Sequence, residues 1–527
     1  MLRAALWLAA IVVAPAAPAA DPTVAEVIAA AREEQVVVCG AALLDGRRLT
    51  EYYPAPGPLW LDDAGPTARA ELLRTALRDA EQDGLSPARY RLADIESRWP
   101  LTAPQERACL ELLLTAAFDR YSRDLHSGQT DPVEADPSWT LRPDAFDPVA
   151  ELLAVGTDAE FSALLDALAP PHAGYRAART ALARYRRLAA IGGWSPLPPG
   201  PALAPGDVHE QVPMLRARLR LERDLAFLTL SYGSRYDAPL AEAVHRFQRR
   251  HGLRADGVVG AGTRDALNVP AGARVAQLER VLERWRWLPR ALGGRYVLVN
   301  TAGFELSLVE GMRTQLGMRV IVGSAEQPTP SFAATIESMV IYPYWHVPER
   351  IARDKLLPKE QRQPGYLAER GFRLYEVTDG VWRELDPGSL NRRRLEGASL
   401  RVRQEPGPDN ALGQLLFVPP NQFDVFLHDT PERAMFEREQ RSLSEGCVRL
   451  EQPLALAAQL LRTDPAWSEA RIQAEIAVRR HQTVRLPEPV PVYVLYLPAW
   501  VDADGLIQFR DDHYRRETVL ADYYPDR

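Results

Sequence analysis

Apolar positions recur at helical spacing through the first 200 residues. Tyr175, Ala178, Leu182, Tyr185 and Leu188 repeat every three or four places, with Arg176, Arg179, Arg184 and Arg187 between them. That pattern predicts an amphipathic helix. Thr67 to Glu81 and Glu106 to Phe118 read the same way. A run from Ser195 to Gly206 then holds five prolines and few charges, which predicts a linker. From 206 to 270 the helical period returns in Val212, Leu215 and Leu219 and again from Leu240 to Gln248. Glycines and Asp256 mark turns before a short helix at Thr263 to Leu267. Val275 to Trp287 reads as a connecting helix. After Pro289 the period changes to two: Phe304, Leu306 and Leu308 alternate with Glu305 and Ser307. Tyr296 to Val299, Met318 to Val322, Met339 to Tyr342 and Phe423 to Leu427 follow as strands. Val492 to Val501 and Leu506 to Phe509 flank Asp502-Ala503-Asp504-Gly505, a hairpin signal.

These elements predict an α+β multidomain chain. A helical N-terminal scaffold spans 21–200, a compact helical module 206–270 and a connecting helix 271–292. A β-rich domain fills 293–527. Within it, 349–407 is rich in charge and proline, with one strand-like run at Phe372 to Val377. It reads as a capping insertion over the sheet, a poor core element expected to move.

Composition narrows the function classes. The chain has 527 residues, 46% apolar and 25% charged, an ordinary globular balance. A net charge of −7 gives no electrostatic case for nucleic acid. At the start, Arg3, the apolar run Ala4 to Val13 and Ala17-Pro18-Ala19 read as a secretory signal over residues 1–20. A periplasmic location follows as the expectation, with a retained membrane anchor as the alternative. The three cysteines are Cys39, Cys109 and Cys447; an odd number leaves at least one thiol unpaired within the chain. Cys39 and Cys109 could form a disulfide or be ordinary buried residues. No phosphate-cradling loop, paired-cysteine motif or His-Glu-x-x-His occurs, so neither a metal nor a cofactor is expected. The sequence gives no oligomeric state.

Chemistry concentrates in FDVFLHDTPERAMFEREQRSLSEGCVRL. A strand ends on His428, and Cys447 follows nineteen residues later between Gly446 and Val448-Arg449. A cysteine attacks carbonyls as its thiolate, and a nearby imidazole can take the proton. Gly446 permits close backbone approach. The amides around Gly446 and Cys447 are candidates for an oxyanion hole. Ser444 fits a supporting hydrogen-bond role. Arg449 fits a substrate carboxylate, because a guanidinium offers paired donors, or a salt bridge beside the site. Taken alone, a Gly-Cys pair is more often structural than catalytic.

The wider pattern resembles the L,D-transpeptidase family, in which a strand-end His is followed at a fixed interval by Ser-x-Gly-Cys. Its large multi-domain periplasmic branch is the nearer likeness. NVPAGARVAQLERVLERWRWLPR, PYWHVPERIARDKLLP, NALGQLLFVPPNQFDVFLHDTP, SEGCVRLEQP and PVYVLYLPAWVDADGLIQFRDD all resemble that branch, in its order. AVHRFQRRHGLRADGVVGAGTRDALN resembles the peptidoglycan-binding helical module of wall enzymes. The resemblance implies that Cys447 opens the bond after the third residue of a peptidoglycan stem peptide. Terminal D-alanine leaves, a thioester forms, and a neighbouring stem's amine resolves it into a 3→3 cross-link. His428 would be the base, Tyr344 and Trp345 would line the acyl-donor cleft, and carbapenems would acylate the thiol. Stem peptides are the implied partners, with other wall-synthesis enzymes as further candidates. Water as acceptor would make an L,D-carboxypeptidase, and a non-catalytic wall-binding scaffold is the third reading. Three positions depart from the family: Glu445 before Gly446, Asp429 after His428, and His346 after the Tyr344-Trp345 pair. Glu445 is expected to face solvent, since a carboxylate turned inward opposes thiolate formation.

Overall fold

The computed structural model describes residues 46–54, 57–99, 103–226, 233–389 and 399–522, and the backbone of 37–38 and 41–42. Residues 1–20, read above as a secretory signal, Cys39 and the insertion residues 390–398 lie outside them. The chain forms two compact units, and together they make an α+β protein.

The first unit takes residues up to Glu81, then Leu85–His126 and Ala145–Ala169. It contains α1 (Ala68–Asp79) and most of α2 (Pro104–Ser127). Thr67 caps α1 by accepting from the Ala70 amide, a side-chain acceptor for an otherwise orphan donor. Trp60, Phe118 and Phe161 meet at its centre, with ring centroids 5.7–5.9 Å apart. Cys109 is buried there and disulfide-bonded.

The second unit begins its main body at Pro170. Its helices are α3 (Ala173–Ala190), α4 (Val212–Leu221), α5 (Ala238–Arg250), α6 (Ala261–Asn268) and α7 (Ala271–Arg286). Helix α3, anticipated as part of the N-terminal scaffold, belongs to this unit and packs on α7. The proline run is no free linker: Leu197 and Leu203 are buried with α4 to α6. Arg264 Nη1 and Nη2 donate to the carbonyls of Pro198 (2.7 Å) and Pro201 (2.8 Å). Prolines lack an amide donor but keep the carbonyl, so a guanidinium supplies what a strand partner would.

Nine strands make the main sheet: β1 (Arg295–Asn300), β2 (Glu305–Glu310), β3 (Arg313–Gly323), β4 (Phe332–Ile341), then, after the insertion, β9 (Leu415–Val418), β10 (Leu427–His428), β11 (Ser442–Ser444), β12 (Val448–Leu450) and β13 (Gln482–Leu495). The order is β11-β3-β12-β10-β9-β4-β13-β1-β2, and β2 also pairs with β3, so the sheet closes on itself. Its inward residues, among them Val297, Val299, Leu306, Leu308, Val320, Leu427, Val448 and Leu450, form one core. The predicted strand over 492–501 is broken at 496–498: β13 ends at Leu495, and β14 (Ala499–Val501) pairs with β15 (Ile507–Phe509) as the predicted hairpin. The strand predicted over 423–427 is confined to β10, because Asp424 takes a positive φ of 53°.

The insertion has a sheet of its own, β5 (Trp345–Val347), β6 (Phe372–Thr378), β7 (Val381–Leu385) and β8 (Leu400–Gln404), in the order β7-β6-β8-β5. Val347, Ile351, Leu356, Leu367, Leu374 and Val402 pack into a separate core. The charge and proline content predicted a poor core element; instead Leu374, Leu400 and Val402 are buried, while Arg373, Arg401 and Arg403 on the same strands stand outside that core. Trp345 belongs to this sheet, so the insertion starts before residue 349. Asn410 closes its neck: Nδ2 donates to the carbonyls of Pro343 (3.1 Å) and Glu405 (3.0 Å).

Candidate active site

Two short strands place the reactive side chains. β10 runs parallel to β12, with Leu427 opposite Val448 and His428 opposite Arg449. The Val448 amide donates to the Phe426 carbonyl at 2.9 Å. Side chains alternate across a strand, and Leu427, Val448 and Leu450 point into the core. His428 and Arg449 therefore face outward, and so does Cys447, two residues before Arg449. The sheet brings together the three residues that the sequence singled out.

A polar scaffold holds the turn before β12. Gly446 sits at φ 120°, a backbone region closed to residues with a Cβ. Ser444 Oγ donates to the Cys447 carbonyl (2.6 Å) and accepts from the Gly446 amide (3.1 Å). Thr329 Oγ1 donates to the Gly446 carbonyl (2.7 Å) and accepts from the Gly323 amide (2.9 Å). Tyr514 Oη donates to the Gly323 carbonyl at 2.6 Å. Ser444 thus braces the turn that carries Cys447. The Gly446 amide, expected to face an oxyanion, is occupied by Ser444. Among the described residues the Cys447 amide makes no hydrogen bond, which leaves it as the donor for that task.

His428 is buried, and its Nδ1 lies 2.5 Å from the Asp429 carbonyl. A carbonyl only accepts, so Nδ1 carries the proton and Nε2 keeps a lone pair. This is the tautomer that a base requires. Asp429 is itself pinned: its carboxylate accepts from the Gln414 amide (2.8 Å) and the Thr430 amide (2.7 Å) and pairs with Arg433. A Cβ on Gly413 would come within 2.4 Å of Asp429 Cγ, so glycine there makes room for the anchor. Burial, then the Arg449 charge, pulls the His428 pKa down to about 3. Burial pushes the Cys447 thiol up, against the Phe426 amide and Arg449, which favour the thiolate. At neutral pH both groups are uncharged. The half-buried thiol donates to the Asp424 carbonyl at 3.7 Å rather than to the imidazole.

A pH prediction follows from these two directions. His428 is depressed, so it stays neutral down to about pH 4. The thiol is raised, so its anion is scarce and grows with pH. Alkylation of Cys447 should speed up roughly tenfold per pH unit between 6 and 8, as expected below a thiol's pKa, with no plateau. Stopped-flow iodoacetamide kinetics would check this; a plateau near neutral pH would point to a thiolate–imidazolium pair.

The remaining predicted residues are distributed less tightly. Arg449 is salt-bridged to exposed Glu432, and its buried Nε has no hydrogen-bond partner among the described residues. A substrate carboxylate would have to displace Glu432. Glu445 does not face open solvent as expected: Arg350 Nη2 lies 2.7 Å from its carboxylate, and Lys355 also bonds it. Burial raises its pKa, but Lys355 and Arg350 outweigh this and hold it below the usual carboxylate range. The pairings tie the insertion to the residue two places before Cys447. Tyr344 lies under the Arg403 guanidinium (4.6 Å) and packs at a tilt against His481 (4.9 Å). Trp345 packs against Phe372 in the insertion core, 6.0 Å between centroids. Sequence reasoning missed Thr329, Tyr514, Gly413 and Arg433, which lie far from the motif or carry no periodic signal. Asp429 was noticed only as a departure.

Residues 294–472 match the family model of the L,D-transpeptidase catalytic domain. The chain carries an L,D-transpeptidase catalytic domain. Residues 47–182 match a family described as "Scaffold domain", and 210–267 one described as "Putative peptidoglycan binding domain". A Haemophilus influenzae protein named "Putative L,D-transpeptidase" is 32% identical over 242 residues. That alignment takes in 46% of this chain and 48% of the relative, so the chain spans about half of the curated relative it matches. Solved L,D-transpeptidases include one from Xylanimonas cellulosilytica at 16% identity, covering 56% of this chain and 100% of that one, TM-score 0.17. Another, from Stackebrandtia nassauensis, shares 15% identity over 57% of this chain and 97% of its own, TM-score 0.22.

Proposed function

We propose that this L,D-transpeptidase-domain protein forms 3→3 cross-links in peptidoglycan outside the cytoplasm, in the periplasm, through a thioester on Cys447. One observation carries the reading: Cys447, His428 and Arg449 share one outward face of adjacent strands, with His428 held as the Nδ1–H tautomer. His428 Nε2 takes the thiol proton as sulfur attacks the carbonyl after the third stem residue. The Cys447 amide receives the developing oxyanion. The C–N bond breaks, and D-alanine leaves with the proton that His428 returns. The side-chain amine of a neighbouring stem then attacks the thioester, and sulfur departs as the thiol. Arg449 exchanges Glu432 for a substrate carboxylate. The insertion, tied to Glu445, limits water during the thioester's lifetime. Stem peptides are the partners, and other wall-synthesis enzymes are candidates.

The test is incubation with a disaccharide-tetrapeptide, read by mass spectrometry. Dimer with loss of alanine supports the proposal; tripeptide alone makes the protein a carboxypeptidase; no product favours a wall-binding scaffold. Replacing 344–409 by a short linker, cut at the Asn410 neck, should raise tripeptide relative to dimer. An unchanged ratio sinks the role given to the insertion.

A further inference from the structure

A cavity of about 810 Å³ opens on the outer surface of the closed sheet, away from the cysteine turn. Tyr296 on β1 and Glu305 and Ser307 on β2 line its floor, outward partners of the core residues Val297, Leu306 and Leu308. His172, Trp285 and Trp500 line its other side. The volume falls in the range of small-molecule sites.

The lining chemistry is specific. Among the described residues, the Tyr296 and Ser307 hydroxyls and the Glu305 carboxyl make no hydrogen bond. His172 Nε2 is buried without a partner. Burial, joined by the Arg290 charge, brings the His172 pKa down to about 4, so the ring is neutral. Burial, opposed by Arg510 and reinforced by Asp502, pushes Glu305 up to about 7, so its carboxyl can hold a proton near neutral pH. Arg176, Arg290 and Asp502 also border the cavity, but two hydroxyls, a neutral imidazole and a protonatable carboxyl offer mixed donors and acceptors that suit hydroxyl and amide groups. The Trp285 and Trp500 rings supply apolar faces for C–H groups. An uncharged ring rich in hydroxyls and amides meets all of these.

Position agrees with chemistry. β2 pairs with β3 at Glu305–Arg319, and β3 pairs with β12 at Ile321–Arg449. Two strand spacings, roughly 10 Å, separate the cavity's strand from the one that follows Cys447, on the same outer surface. Cys447 lies further along by about four residues, roughly 14 Å at strand rise. A stem peptide extended from its sugar to its third residue has a comparable reach.

We propose that this cavity binds the amino-sugar backbone of peptidoglycan and so presents the attached stem to Cys447. The inference rests on peptidoglycan being the substrate. The full chain should bind a peptide-free N-acetylglucosamine tetramer saturably in calorimetry. Trp500→Ala and Glu305→Ala should each weaken that binding at least tenfold, whereas Cys447→Ala should leave it unchanged. Both variants should also raise KM for a disaccharide-tetrapeptide more than for the bare tetrapeptide, with little change in kcat. If Trp500→Ala does not fold, Glu305→Ala decides alone. No binding by the parent chain overturns the inference, as does full binding by both variants, which would put the sugar on the 206–270 module. Sugar binding without turnover would instead refute the catalytic proposal and leave this one standing.

Discussion

Cys447→Ala should abolish turnover and leave the protein folded. The thiol lies on the outward side of the sheet, and Cys447 is absent from the core that holds Val448 and Leu450. Losing one sulfur from a half-buried site changes stability by about 1 kcal/mol or less, a small shift in melting temperature. Chemistry has no substitute nucleophile, because Cys447 is the free cysteine among the described residues. A carbapenem makes the point on intact protein. Its strained ring should acylate the parent chain once, on the peptide containing Gly446-Cys447-Val448-Arg449, and leave Cys447→Ala unlabelled. Cross-linking by the alanine variant, or a drug adduct elsewhere, would falsify the assignment of the nucleophile.

His428→Ala should slow that acylation by two to four orders of magnitude, the usual contribution of a positioned base. The thiol is already raised by burial, so without a base little anion remains to react. A second variant probes how the base is held. Gly413→Ala places a Cβ at φ 63° within 2.5 Å of Asp429 Cβ, so the backbone, Asp429 or both must move. Such strain costs about 1–3 kcal/mol. It should loosen the Asp429 carbonyl from Nδ1 and reduce acylation less than His428→Ala does. Normal acylation by His428→Ala would mean that the proton goes elsewhere.

Much of the fold was legible because burial imposes period on sequence. The alternation at Glu305 to Leu308 is the alternation of β2 between cavity and core, and the spacing of Tyr175 to Tyr185 is the buried stripe of α3. Two places misled, each for a physical reason. The prolines of 195–206 suggested freedom, but their carbonyls are held by Arg264, whose sequence position gave no hint of it. The charged run of 349–407 suggested a coreless cap, but two-sided strands bury alternate residues whatever their outer faces carry. At the site, Cys447 and His428 could be read from a local motif. Their support could not: Thr329 and Tyr514 reach the Gly446 turn from remote parts of the chain, and hydrogen bonds between distant segments leave no periodic trace.

The Asn410 neck has a consequence for how this domain can vary. One carboxamide spans Pro343 and Glu405, so the closed sheet meets the whole insertion as though it were a single turn. Entropy of loop closure grows only with the logarithm of length, and here the ends are fixed by a contact outside the insertion core. Exchanging everything between those carbonyls for a longer, shorter or unrelated module should leave the barrel's melting temperature nearly unchanged. The neck is thus a natural splice point, at which the covering of the thiol can be redesigned without touching the strands that aim it.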